Sequence, residues 1–230
     1  MYDSRVESAK RLRNAIQRTP IKQSPSVFVQ VTGVGFYEPH ETKVYDESSD
    51  GGKHDFLAKL VVDWEEAAKL PPESKVRNVN IRAGAVLGRN GGLVAQVITP
   101  FFFGVGGVMG SGQQWMPWIH VKDLTGLILH SIENEKVEGV LNGVAPEAVS
   151  NRQFVEAFAG ALNRPAFIPV PEFVWNTIFG PERAAIVVKG QHVLPKRSLE
   201  SGYKFRFPTI SSACQEFSFL RYVDLDDRQS

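Results

Sequence analysis

The sequence predicts an α/β fold: a parallel sheet flanked by helices, followed by a small, mainly helical C-terminal module. Three observations predict it. A β-branched run from Val27 to Thr32 and an alternating run from Val76 to Ala83 are separated by an amphipathic helical pattern. Strand, helix and strand in that order make a right-handed crossover that lays the two strands parallel. Beyond Asn163 the pattern changes, and prolines at 165, 169, 171, 181, 195 and 208 divide the chain into short pieces.

Each element has its own signal. Val6, Ala9, Leu12 and Ile16 recur at helical spacing with Arg5, Lys10, Arg11 and Arg18 between them, which predicts a helix starting close to Met1. Val27 to Thr32 ends at Gly33 and reads as a buried parallel strand. A loop follows to about Lys53. From Asp55, the apolar set Phe56, Leu57, Leu60, Val61, Trp64, Ala67 and Ala68 predicts a helix stopped by Pro71 and Pro72. In the next strand, Val79, Ile81 and Ala83 alternate with Asn78, Asn80 and Arg82.

After Gly91 and Gly92 an apolar helix runs through Val94, Val97 and Ile98 to the phenylalanines at 101–103. It ends in the glycine-rich stretch GVGGVMGSG, which lacks the spacing of a phosphate cradle and is expected to form a flexible loop beside a pocket. Asp123 is expected to cap a helix carrying Leu124, Leu127, Ile128 and Ile132, and Val140 to Val144 to form a short strand. Ser150 and Gln153 make a capping box that starts a helix near Asn151. Tyr203, Phe205 and Phe207 alternate with basic residues and read as a strand. The sheet domain is expected over residues 1–150, the small module over 151–220 and a disordered tail over 221–230, including the acidic run Asp224 to Asp227.

Composition excludes several classes of partner. The chain has 230 residues, 43% of them hydrophobic, which is enough for a sizeable core. Twenty-six basic and 25 acidic residues give a formal charge of +1, so no global field draws in nucleic acid or an acidic membrane. No apolar run reaches the length of a membrane span. The single cysteine, Cys214, reads as a small buried apolar residue and suits a reducing, cytoplasmic compartment. The five histidines show no ligand spacing with one another or with Cys214, so no metal is expected. Asp46 and Glu47 read as part of a solvated turn.

Three stretches resemble the extended, epimerase-like branch of the short-chain dehydrogenase/reductase superfamily. They are Val29 to Tyr37 (VQVTGVGFY), Ile81 to Gly88 (IRAGAVLG), and Pro117 to Leu124 (PWIHVKDL) followed by Leu141 to Val144 (LNGV). The tail is similar to the C-terminal, DUF1731-type module of the SDR39U1-like epimerase-family proteins. It does so through Val170 to Gly180, Gly190 to Arg197 (GQHVLPKR) and Gly202 to Pro208 (GYKFRFP).

The resemblance implies a Rossmann fold, a doubly wound parallel sheet, with NADP, or alternatively NAD, bound where strand order reverses. It implies cofactor contacts at Thr32, Gly33, Arg82, Ala83, Gly84 and Val86, and a small-molecule substrate. Trp115 and Trp118, which flank Pro117 after the glycine-rich stretch, read either as walls of the substrate pocket, with Asn142, or as core packing. In the family's order the first strands and the glycine-rich phosphate-binding loop precede the helix at Met1. The resemblance therefore implies a partial Rossmann fold with its N-terminal strands and phosphate-binding loop missing, as in a truncated gene product. The Val27 to Thr32 strand would then be an apolar edge, and self-association through it is expected.

The superfamily's chemistry uses a tyrosine to move the proton and a lysine four residues later to lower its pKa. The matching helix reads Phe56-Leu-Ala-Lys-Leu60, with no phenol and with Lys59 one residue out of register. Thr32, as a substrate-facing hydroxyl, and Tyr37, as a substitute proton donor, are the catalytic candidates that remain. The resemblance gives His120 a structural place, fixing the loop before a helix. A non-catalytic NADP(H)-binding protein and an inactive fragment are the alternatives to an oxidoreductase or isomerase.

Overall fold

The structure, a computed structural model, describes residues 2–71, 73–166 and 190–218. It is an α/β fold. The expected tail at 221–230, the segment Val170 to Gly180, and the prolines at 72, 169, 171 and 181 lie outside the described residues.

The central sheet has three strands, β1 (Val27–Gly33), β3 (Arg77–Ala83) and β7 (Gly139–Gly143), in the order β1-β3-β7. All pairings are parallel, with Val27 opposite Arg77 and Val79 opposite Gly139. β1 is a terminal strand of this sheet among the described residues.

The period-two alternation gives the sheet two unlike faces. Val27, Val29, Val31, Val79, Ile81 and Leu141 pack with Leu124, Leu127 and Ile128 of α4 (Val121–Glu133). The opposite face is polar and still buried: Gln30, Thr32, Asn80 and Arg82 are each less than a tenth exposed. α2 (Phe56–Ala68) covers this face and takes up its hydrogen bonds. Gln30 Nε2 donates to the Trp64 carbonyl at 3.2 Å, and Asn78 Nδ2 to the Ala68 carbonyl at 3.0 Å. The Asp55 side chain accepts from Ala58 N and starts α2, as a short acidic N-cap should. Outside it lies α1 (Tyr2–Arg18), whose Val6 and Ala9 pack on Leu60, Ala67 and Ala68.

A second core crosses the expected boundary at 150/151. β4 (Ala85–Gly88) pairs in parallel with β6 (Trp118–His120), and β5 (Trp115–Met116) pairs antiparallel with β8 (Val149–Ser150). Around them α3 (Gly92–Phe102), α5 (Asn151–Leu162) and α7 (Ile210–Glu216) bury Val97, Phe101, Phe158 and Cys214. The capping box at Ser150 and Gln153 starts α5, and Asn163, in the left-handed region at φ 52°, ends it. The glycine-rich stretch after α3 is tied into this core by Met109, which is buried and whose N–H donates to Asn151 Oδ1 at 2.8 Å. The C-terminal segment then returns to the sheet domain. β9 (His192–Val193) pairs with β2 (Val44–Tyr45), and α6 (Lys196–Glu200) packs on β7.

Three expectations are corrected. α4 is capped by His120, whose Nδ1 accepts from Lys122 N, and Asp123 sits inside the first turn, 1% exposed. The 203–207 segment forms no strand, because its donors turn to that carboxylate. Tyr203 Oη, Arg206 N and Phe207 N donate to Asp123 at 3.2, 2.7 and 2.9 Å. Glu47 is a clamp rather than part of a solvated turn: its carboxylate accepts from Asn142 N at 2.9 Å and Arg197 N at 3.2 Å. Among the described residues no helix is long and apolar enough to cross a membrane, and no group of three or more His, Cys, Asp or Glu could hold a metal ion.

Two predictions follow from these contacts. Asp123→Ala strands the Arg206 and Phe207 amides, while Tyr203 Oη keeps the residue-123 carbonyl at 3.0 Å; it should cost about 2–4 kcal/mol in urea denaturation, with hydrogen exchange rising first at 203–207. Loss below about 1 kcal/mol would show that water replaces the carboxylate. The second concerns alkaline pH. Burial pushes the Cys214 thiol up to about 12, and burial followed by the Asp123 charge raises the Tyr203 phenol. Both groups are neutral in the native state and ionise sooner once unfolded, so the unfolded chain holds fewer protons above about pH 9. The contribution of these two groups should be flat below that pH, and stability should fall as pH rises toward 12, with a shallower fall in Cys214→Ala.

Candidate functional site

β1 and β3 end side by side, with Thr32 opposite Arg82 and Gly33 opposite Ala83. A cavity of about 480 Å³ opens beyond those carboxyl ends. Thr32, Gly33 and Gly35 form one wall, and Ala83, Gly84, Ala85 and Val86 the next. Leu57, Leu60, Val61 and Trp64 of α2 make a continuous apolar side, since residues three and four apart share a helix face. Trp115, Met116, Pro117 and Gln191 close another side, and Arg5 of α1 and Gln96 of α3 add polar groups. The crevice outside the carboxyl ends of parallel strands is where open α/β sheets bind ligands.

Five of the six residues assigned to the cofactor line this cavity: Thr32, Gly33, Ala83, Gly84 and Val86. Trp115 also lines it; its ring stacks on His192 at 4.0 Å and its Nε1 donates to the Glu41 carbonyl. Arg82 is outside the lining because its guanidinium is fully engaged behind the wall. Nε and Nη2 donate to the two oxygens of Glu65 at 2.8 and 2.7 Å, Nη1 donates to Tyr37 Oη at 3.2 Å, and Cζ lies 3.4 Å from the Phe36 ring centroid.

Three other assignments are corrected by burial. Trp118 is 1% exposed in the second core, with Nε1 donating to the Glu147 carbonyl, so it packs rather than faces the cavity. Asn142 is fully buried, donates from Nδ2 to the Leu194 carbonyl at 3.0 Å and accepts from Tyr37 Oη at 2.8 Å. Tyr37 is likewise fully buried, stacked on Tyr45 with ring centroids 5.2 Å apart. Burial raises its phenol pKa against the pull of Arg82. A phenol held this way is a structural hydrogen bond, not a donor to a ligand in the cavity.

Thr32 does reach the cavity, and its Oγ1 donates to Glu65 Oε1 at 3.0 Å. The helix that should carry a tyrosine and a lysine presents other side chains. Phe56 is 55% exposed, and Lys59 Nζ pairs with Asp63 at 2.9 Å, away from the cavity. Two pairs four apart stand on the cavity face, Leu57 with Val61 and Leu60 with Trp64, and none of the four titrates.

His120 has the structural place expected for it. Besides capping α4 it lies between Phe207 and Phe217, with ring centroids 3.9 and 5.5 Å away, and burial lowers its pKa. Its Nε2 is 3.1 Å from Glu216 Oε2 but off the hydrogen-bond axis.

Sequence reasoning missed the apolar side of the cavity and Gln191. The first had a usable signal, since Leu57, Leu60, Val61 and Trp64 are the apolar stripe of α2, but periodicity does not say what a stripe faces. Gln191 stands in the GQHVLP stretch that carries the tail resemblance, and its partner, the Tyr37 carbonyl, lies 154 residues away.

Comparison with known proteins agrees with this geometry. Residues 170–217 match the family described as "Domain of unknown function (DUF1731)". The chain is 47% identical over 217 residues to the epimerase family protein SDR39U1 of Bos taurus, covering 94% of this chain and 73% of that protein. The identity to epimerase family protein YfhF of Bacillus subtilis is 33%, over 94% of this chain and 70% of the relative. The solved structure of human SDR39U1 (isoform 2) with NADPH superposes with a TM-score of 0.90 at 45% identity, covering 94% of this chain and 72% of that one. A nucleoside-diphosphate sugar epimerase from Corynebacterium glutamicum, at 24% identity and a TM-score of 0.76 over 99% of this chain and 44% of its own, shares the fold. With identities of this order across most of both chains, the protein belongs to the epimerase family that includes SDR39U1 and YfhF.

Proposed function

We propose that this protein binds NADP(H) with the nicotinamide end in the cavity at the ends of β1 and β3, and works as an oxidoreductase or isomerase on a small, largely apolar substrate. The cavity's position and apolar lining carry this reading, and the relative solved with NADPH supports it.

The residues present fit a flat ring. A Cβ added at Gly33 or Gly35 would meet no protein atom closer than 3.9 Å, and neither residue has a positive φ. Protein packing therefore does not require glycine at either position. What the missing side chains leave is room along the cavity wall. Gly84 differs, since a Cβ there would lie 2.6 Å from the Pro117 carbonyl. The cofactor, when bound, supplies or accepts a hydride. The chain's part is to position it, to exclude water with Leu57, Leu60, Val61 and Trp64, and to offer the Thr32 hydroxyl, which is backed by Glu65.

A second reading, cofactor binding without turnover, is favoured by Leu57 and Val61. With Leu60 and Trp64 they fill the cavity face of α2, so no i, i+4 tyrosine and lysine pair stands there, and Tyr37 does not replace one.

NADPH titration by calorimetry, followed by a carbonyl-substrate panel, tests both readings. Gly33→Val should weaken NADPH at least tenfold while changing stability by no more than about 1 kcal/mol, because β-branched residues suit its extended backbone. Equal NADPH affinity in Gly33→Val would remove the ring from this wall. With an active substrate in hand, Thr32→Val should lower kcat by about a hundredfold and leave NADPH affinity nearly unchanged. NADPH binding with no turnover across the panel selects the second reading.

A further inference from the structure

Gln191 lines the cavity and is 3% exposed. One end of its amide is fixed, with Nε2 donating to the Tyr37 carbonyl at 3.1 Å. A backbone carbonyl only accepts, so that contact decides which end of the amide is nitrogen. The other end, Oε1, is covered from solvent and has no hydrogen-bond partner among the described residues, so a ligand in the cavity meets it through a small shift of the wall. Two donors that line the same cavity are already committed: the Thr32 hydroxyl to Glu65 and the Trp115 indole N–H to the Glu41 carbonyl. Buried amide oxygens are seldom left without a donor, and one left so is costly until something satisfies it.

We propose that Gln191 orients the ligand, its Oε1 accepting a hydrogen bond from an N–H or O–H group of the molecule in the cavity. The proposal rests on the cavity being the ligand site, as in the reading above. It selects by chemistry. A carboxamide NH₂ on a pyridine ring, or the hydroxyl of an apolar substrate, satisfies Oε1. A ketone, ether or methyl group at the same point leaves the oxygen stranded, and a site built around a hydrogen bond rejects such analogues far more strongly than an apolar pocket does. Gln191 therefore acts as a positioning residue, one amide serving the fold through the Tyr37 carbonyl and the ligand through Oε1.

Two matched pairs of probes separate the sources of the donor, each titrated calorimetrically into the full chain and into Gln191→Met. The first is NADPH against its acetylpyridine analogue, in which a methyl replaces the carboxamide NH₂. The second is cyclohexanol against methoxycyclohexane. Quenching of Trp64 and Trp115, both on the cavity wall, reports binding at this site.

Wild type is expected to prefer the donor-bearing member of a pair by at least tenfold, and Gln191→Met to bind the two within about twofold of each other. Preference in the first pair identifies the nicotinamide carboxamide as the donor, and preference confined to the second identifies a substrate hydroxyl. A purely structural glutamine would lower the melting temperature of Gln191→Met without changing either ratio, and that result overturns the proposal. Equal binding of both members of each pair by wild type also overturns it, whether or not the variant folds. Failure of both dinucleotides to bind sinks the cofactor reading alone, with the alcohol and ether then deciding the role of Gln191. If none of the four probes binds, both readings fall.

Discussion

Arg82 and Glu65 meet beneath α2 with their side chains 6% and 12% exposed, joined by two short hydrogen bonds. Taking two charges out of water costs several kcal/mol per ion, and the attraction between them offsets this only when the geometry is good and the remaining polar atoms are satisfied. Both conditions hold. The guanidinium meets the carboxylate with two nitrogens, and its third finds Tyr37 Oη. Thr32 supplies a further donor to Glu65, and the Phe36 ring covers the guanidinium face. Burial is the largest influence and works against the charged guanidinium, and Glu65 and Tyr37 together outweigh it, so the Arg82 pKa ends up raised. The pair joins the end of β1, the last turn of α2 and the end of β3, and those three elements supply much of the cavity wall.

From Tyr37 the same network continues outward. Tyr37 Oη donates to Asn142 on β7, and Asn142 donates to the Leu194 carbonyl in the C-terminal segment. Glu47 ties the Asn142 and Arg197 amides together, and Arg197 in turn donates to the Val140 and Glu138 carbonyls at 2.8 and 2.7 Å. The C-terminal segment is thus held by polar contacts to the sheet ends, and Gln191 is brought to the cavity by the same anchoring. Polar networks of this kind specify one arrangement because a partial one leaves buried groups unpaired.

The main helices and strands were legible because each depends on local pattern. The stripe through Val6, Ala9 and Leu12, the acidic cap at Asp55 and the capping box at Ser150 lie within a few residues of what they control. Trp118 and Asn142 were misplaced because burial is decided by distant partners: a carbonyl at Glu147, a carbonyl at Leu194. Asp123 shows the same limit. Its position near a helix start suggests a cap, yet its carboxylate is taken by amides more than 80 residues away. The alternation Tyr203, Phe205, Phe207 has the period of a strand, but a strand also needs an open ladder edge, and these donors face a carboxylate instead. The cavity's existence followed from the resemblance; its apolar side and its amide did not.

The clasp between the Tyr37 region and the segment from Gly190 to Arg197 joins residues about 150 apart in the chain. During synthesis, residues up to Ala83 leave the ribosome well before Gln191 does, so the strands that floor the cavity exist for a time without one of its sides. At roughly 5–20 residues per second, that interval is several seconds, long compared with the time local helices need to form. The β1–β3 unit must therefore persist with its apolar cavity exposed until the C-terminal segment arrives. Cellular chaperones would meet this protein at that stage, with Leu57, Val61 and Trp64 as the surface they encounter.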